Sequence, residues 1–244
     1  FIFLRSRFNG VKSYAFPWGK GDIKTALKII EEDAKERNAD FSFYCLSEEQ
    51  SEILKEIYGD RLVLHEQRDF FDYVYLREKL ATLSGRKYHS KKNHVNSFCK
   101  KNDFSYEELN ENNLKECLEF SHLWHKGGER NPKLDEEMLV IEKAFEHFRE
   151  LHLSGALLRV DGKIVAYALG EAMPDGKTYC THFEKASPEY LTAYAVINKL
   201  FAEKSLGDFE YINREDDAGV ENLRKAKTSY HPEHLVKKYY GKIL

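Results

Sequence analysis

Cysteine, methionine and tryptophan are scarce in this 244-residue chain, at four, two and two residues, and proline is held to five. The cysteines, Cys45, Cys99, Cys117 and Cys180, lie far apart, with no CxxC pair and no cysteine–histidine ligand spacing. That argues against a disulfide framework and against structural zinc. Three of them fall in apolar patterns, as buried free thiols do, and this points to a reducing cytoplasm. Long apolar runs are missing too, for none approaches the roughly 20 residues that span a bilayer. The chain opens on Phe1 and not on Met, which leaves a targeting signal upstream open. One stretch lacks acids altogether. Gly85 to Asn102 holds Arg86, Lys87, Lys91, Lys92, Lys100 and Lys101 without one Asp or Glu, inside a chain of net charge −3. Lys237, Lys238 and Lys242 make a second basic segment. Such segments are either solvated faces or attachments for a phosphate-bearing partner, and the acidic total speaks against a general nucleic-acid binder.

What is present is a globular composition. Hydrophobic residues make up 42% and aromatics 14%, enough to core one large domain or two small ones. Helical periodicity recurs five times, through Ile23 to Ala34 behind the cap Asp22, Ile53 to Tyr58, Leu114 to Trp124, Leu134 to Phe148 and Leu191 to Phe201. These stripes read as core-facing. Strands are expected at Phe41 to Leu46, Leu62 to His65 and Tyr73 to Leu76, closing a first α/β unit near Ser84. Further on, Asp161-Gly162 joins two apolar runs as a type I′ hairpin turn. The turn Pro174 to Lys177 then leads into Thr178 to Phe183, giving a three-stranded meander. After it come a helix, a strand at Phe209 to Ile212 and another helix. The glycines of Trp18-Gly-Lys-Gly-Asp22 read as a plain turn more readily than as a phosphate loop, since Asp22 would repel an anion.

The segment from Phe209 to Pro232 concentrates charge of both signs at a strand-to-helix junction, where α/β folds keep binding groups. Glu215, Asp216 and Asp217 come just after the strand, and Arg224 and Lys227 stand three apart on the helix. The acids either cap that helix or hold a cationic substrate group, and Asp217 is assigned to capping alone. Arg224 and Lys227 share a face that can clamp a phosphate or carboxylate, or pair with the acidic turn. Asn213 can orient a carbonyl or close the turn. Tyr230 can donate a hydrogen bond into a cleft or cover the helix end. On the preceding strand, His182 and Glu184 are two apart and so are expected on one face, either able to accept a proton.

The order meander, helix, strand, helix resembles the Gcn5-related acyltransferase fold, whose last meander strand and next strand splay around the acyl donor. His182-Phe-Glu-Lys185, Tyr211-Ile-Asn-Arg-Glu-Asp216, Gly219, Leu223-Arg-Lys-Ala-Lys227 and Ser229-Tyr-His-Pro232 resemble the C-terminal catalytic domain of phosphatidylglycerol lysyltransferases and their soluble relatives. So does Leu83 to His94. The resemblance implies an α/β (α+β) fold of two Gcn5-related N-acyltransferase-like halves, each a mixed sheet flanked by helices. The halves are expected at 1–85, incomplete at its start, and 86–244, which holds the active cleft. The best-known members carry an aminoacyl group from a charged tRNA to a lipid head group and add a membrane-spanning half. Nothing here supplies that half. What carries over is acyl or aminoacyl transfer to an amine or hydroxyl, on a small molecule or a lipid head group.

Expected roles can then be assigned. Glu184 or Glu215 is the general base, with His182 as a third candidate; Asp216 anchors a substrate amine, and Arg224 and Lys227 hold an anion. Asn213 and Tyr230 contact substrate, while Arg86, Lys91 and Lys92 meet phosphates of tRNA or of a nucleotide-bearing donor. No metal and no tightly bound cofactor are expected, aminoacyl-tRNA or acyl-CoA serving as co-substrate. Lys185 to Tyr190 contains no glycine where coenzyme A enzymes of this fold cradle the pyrophosphate, which weakens the acyl-CoA option. Two rivals stand: a coenzyme A-dependent N-acetyltransferase, and a non-catalytic module binding RNA or an acidic partner. Oligomeric state stays open.

Overall fold

A computed structural model describes residues 1–8, 10–128 and 132–244. Two units emerge, one formed by 1–72, 216–224 and 235–244, the other by 73–215 and 225–234.

In the first unit β1 (Arg5–Phe8) and β2 (Val11–Tyr14) form an antiparallel pair, followed by α1 (Ile23–Glu36), β3 (Ser42–Leu46), α2 (Glu48–Tyr58) and β4 (Leu62–Glu66). Asp22 starts α1 by accepting the N–H groups of Lys24 and Thr25, which is why the preceding glycines form a turn and not an anion cradle. Ser47 and Gln50 close a capping box on α2. The expected stripe on α1 is the buried one: Ala26, Leu27, Ile30 and Ala34. They pack with Tyr14, Phe43, Leu46, Leu54 and Ile243. Ile243 belongs to β12 (Tyr239–Ile243), a strand not foreseen in the basic segment at 237–242. It lies between β3 and β4, antiparallel to both, in the order β1-β2-β3-β12-β4.

The second unit opens on β5 (Asp72–Leu76), α3 (Arg77–Thr82), α4 (His89–Lys101), β6 (Phe104–Glu108), α5 (Leu114–Gly127) and α6 (Pro132–Glu146). The meander is β7 (Ser154–Val160), β8 (Lys163–Ala172) and β9 (Thr178–Ala186). Then come α7 (Ala193–Lys204), β10 (Tyr211–Asn213), α8 (Glu221–Thr228) and β11 (His234–Val236). Asp161 and Gly162 both take positive φ, 50° and 76°, as a type I′ turn requires. The sheet runs β11-β5-β10-β9-β8-β7-β6. A boundary at 85/86 does not match this pairing: Val74 to Leu76 lie antiparallel to Tyr211–Asn213, so β5 belongs to the later sheet. Leu157, Tyr167 and Leu169 pack against Cys117, Met138, Ile141 and Phe145 of α5 and α6. Among the described residues no helix is long and apolar enough to cross a membrane.

Two local features shape the second half of β9. β10 runs parallel to β9 from Thr178 to Cys180 and then stops, whereas β9 continues to Ala186, so the strands part after Cys180. In addition, the β8–β9 register shifts between Leu169–Phe183 and Gly170–Thr181, which leaves His182 as the extra residue of a β-bulge.

Candidate functional site

The bulge decides which side chains meet. Without it, His182 and Glu184 would share a face. With it, His182 and Phe183 both line one cavity, together with Glu137, Val140, Lys143, Ala144, Leu151, Leu153, Glu171 and Glu215. Alternation resumes from Phe183. Lys185 therefore points to the same side, where its ammonium bonds both oxygens of Glu137 at 2.8 and 2.7 Å and sits 4.1 Å from the Trp124 ring centre. Glu184 turns to the other face. There its Oε2 accepts 3.0 and 2.7 Å hydrogen bonds from Nε and Nη2 of Arg214. Both side chains are only 12% exposed, and the Arg214 guanidinium lies 4.9 Å from the Tyr230 ring centre. Glu184 is thus engaged by Arg214 on that face and is not among the residues lining the cavity with Glu215. Oε1 of Glu184 and Nη1 of Arg214 are buried with no hydrogen-bond partner among the described residues.

His182 stands at the head of the cavity with both ring nitrogens engaged. Nδ1 is 2.8 Å from Oε1 of Glu215, and Nε2 is 3.1 Å from Oε1 of Glu171. The Cys180 Sγ lies 3.8 Å from both Nδ1 and the same Glu215 oxygen. Its hydrogen bonds to Cys180 and Glu215 outweigh partial burial and push the His182 pKa up to about 11. With both ring nitrogens on carboxylates and the pKa raised, the charged ring is favoured, which sets His182 apart from the other candidate bases.

Glu215 is presented by strained backbone. It sits in the left-handed region at φ 55°, uncommon for a residue with a side chain. Asn213 holds it there, its Oδ1 accepting the Glu215 N–H at 2.7 Å, and Tyr73 N–H donates to the Glu215 carbonyl at 3.1 Å. Asn213 thus closes the turn that aims the carboxylate. Glu171 was not singled out in the sequence. Nothing in its spacing relates it to His182; only strand register, which sets Glu171 opposite Cys180, brings it there.

Other expected contacts lie elsewhere. In the first unit Arg224 bonds both oxygens of buried Asp217 at 2.8 Å and Oδ1 of Asp69 at 2.5 Å. Asp217, assigned to capping, also accepts the Gly219 N–H and pairs with Arg68, because full burial demands that its charge be matched. Asp216 accepts the Ala218 N–H. In the second unit Lys227 is buried and donates to the Arg214 carbonyl at 2.5 Å. Arg224 and Lys227 are therefore committed to internal partners and do not form the expected anion clamp. Tyr230 is buried, its ring centre 4.9 Å from the Arg214 guanidinium and 4.2 Å from the Lys91 ammonium. Burial pushes its hydroxyl pKa up to about 12. Burial and the nearby Arg214 lower that of Lys91. Arg86 and Lys92 are exposed.

Cys180 Sγ, His182 Nδ1 and Glu215 Oε1 lie within 4.8 Å of one another, a donor set that the sequence does not announce. Two such ligands on one tetrahedral zinc stay about 3.3 Å apart. The 2.8 Å N–O separation here is that of a hydrogen bond.

The chain is similar to several known proteins. The sequence profile of the family "Phosphatidylglycerol lysyltransferase, C-terminal" matches residues 1–241. A conserved protein of unknown function from Bacteroides thetaiotaomicron is 34% identical, with a TM-score of 0.90 over 99% of this chain and 82% of that one. The structure of L-PGS from Bacillus licheniformis has the same fold at a TM-score of 0.68 and 15% identity, covering 99% of this chain and 80% of the other. An uncharacterized protein of Mycoplasmoides gallisepticum is 25% identical over 192 residues, 75% of this chain, and the match spans only 58% of that relative. The two mixed sheets flanked by helices are the tandem Gcn5-related acyltransferase architecture that the sequence implied.

Proposed function

The chain belongs to the phosphatidylglycerol lysyltransferase C-terminal family, and from that premise we propose that its second unit transfers an acyl or aminoacyl group from an activated donor to an amine. One observation carries the reading: the His182 imidazolium is gripped by Glu171 and Glu215, whose carboxylates line a cavity beside the point where β9 and β10 part. In acyl transfer the acceptor nitrogen must lose a proton as the carbonyl gains charge. His182 holds both carboxylates in place. Glu215, aimed by its strained turn, takes the proton from the attacking amine, and Glu171 holds the amine in line. Of the two expected bases, Glu215 is the one this reading uses.

For the donor, aminoacyl-tRNA is favoured over acyl-CoA. After β9 the chain forms a short 3-10 turn at Pro188–Tyr190, where Ser187 Oγ accepts the Glu189 N–H, and no glycine opens a backbone cradle for a pyrophosphate. The exposed Arg86 and Lys92 supply charge for tRNA phosphates.

Single-turnover transfer from a panel of charged tRNAs and acyl-CoAs to added amines tests the proposal. Glu215→Gln is expected to slow transfer by about 10²-fold or more. Turnover that survives Glu215→Gln and Glu171→Gln unchanged would remove this cavity from the mechanism. Transfer from acetyl-CoA alone would move the reading to an N-acetyltransferase.

A further inference from the structure

The cavity at His182 measures about 500 Å3, and its lining combines carboxylates with apolar side chains. At the head, Glu171 and Glu215 are 46% and 44% exposed at the side chain, and each uses Oε1 on His182. Neither Oε2 accepts a hydrogen bond from the described residues, so two carboxylate oxygens remain for a ligand. The other charges at the cavity are matched by neighbours: Glu137 is bonded to Lys185 and Lys143 to Glu146. Two carboxylates against one imidazolium leave a negative charge in excess, which attracts a cation and repels a carboxylate or phosphate. Part of the lining is apolar. Val140 and Leu151, 58% and 48% exposed, join Ala144, Leu153 and Phe183 there. Large apolar side chains left this open beside a few convergent polar groups are the usual makeup of a small-molecule site.

We propose that this cavity binds a primary amine carrying an apolar alkyl or aryl group, the ammonium between Glu171 and Glu215 and the apolar part on Val140 and Leu151. Resting on the acyl-transfer reading, this compound is the acceptor. The amine binds as its ammonium and gives one proton to Glu215, which passes it to water. The freed nitrogen lone pair attacks the donor's carbonyl, the bond to the donor's oxygen or sulfur breaks, and the second proton lost by the nitrogen goes to that leaving atom. A hydrophilic amine meets the carboxylates equally well but leaves the wall facing water, so the wall sets the preference.

Titration calorimetry with ethylamine, butylamine, hexylamine, 2-phenylethylamine, ethanolamine and hexanoate tests this on the intact chain. Affinity should rise about fourfold per methylene along the alkylamine series until the wall is covered. Ethanolamine should bind no better than ethylamine, and hexanoate should not bind. Glu171→Gln should weaken every amine about equally. Val140→Asp, at an exposed helix position, should flatten the series without lowering the melting temperature, and Leu151→Ser provides a second such variant. A flat series in the wild type, or hexanoate binding as well as hexylamine, overturns the proposal. Because binding is read without a donor, its failure is separable from that of the acyl-transfer reading. A rising series with no transfer to hexylamine from any donor leaves the binding assignment standing and removes the reaction.

Discussion

Arg214 and Glu184 illustrate how a residue chosen for chemistry can be occupied by structure. Each is 12% exposed, and the pair is packed against Tyr230, so a substrate meets neither charge. Removing one partner strands the other. Arg214→Met is expected to lower stability by about 3–5 kcal/mol in urea denaturation, and adding Glu184→Met should recover much of that loss. Additive losses in the double variant would contradict the pairing. His182 behaves in the opposite sense. Its folded-state pKa is raised from the ordinary 6.5 to about 11, so its contribution to stability is complete below pH 6.5 and disappears as pH rises through about 11. Ring nitrogen shifts should show a doubly protonated His182 across roughly pH 7 to 9, and Glu215→Gln should bring its titration down. A ring that deprotonates near the ordinary value would break the assignment.

The β-bulge is the element that separates His182 from Glu184. Gly170 lies opposite Thr181 beside it, so closely that an added Cβ would run into the Cys180 carbonyl. Gly170→Ala is therefore expected to cost roughly 1–3 kcal/mol in thermal or denaturant unfolding and to shift the His182 ring signals; an unchanged melt and spectrum would show that the pairing tolerates a side chain. The bulge also marks where the sequence stopped being legible. α1 and α2 carry uninterrupted stripes and strong caps, and β7 and β8 meet at an Asp-Gly turn, so local pattern and fold agree. β9 alternates only until the extra residue, which no composition signal announces. β12, Tyr239-Tyr-Gly-Lys-Ile243, has a central glycine and too little alternation to be read as a buried-sheet strand. At the site, Glu215 and His182 were visible as charged residues near strand ends. Glu171 was not, because pairing register and not sequence spacing joins it to them.

On the scale of the molecule, the acid-free segment and the cavity belong to one unit, and charge separates them by role. Arg86 and Lys92 are exposed, while Lys91 is half-buried against Tyr230. If tRNA is the donor, Arg86→Ala with Lys92→Ala should reduce the slope of log affinity against log salt by roughly 1 to 2, without altering alkylamine binding. An unchanged slope would remove this segment from the donor site. Deleting Tyr239 to Leu244 tests the sheet order: hydrogen exchange should rise through β3 and β4 of the first unit while β7 to β9 stay protected. Protection of β3 and β4 in the shortened chain would contradict the central place of β12. That place also imposes a timetable on synthesis. β3 and β4 leave the ribosome early, yet the strand that must lie between them is made only after the whole second unit. Until then the nascent chain carries strand edges of β3 and β4 that lack their partner, with Phe43, Leu46 and Leu64 beside them, the kind of exposed edge that favours aggregation during translation.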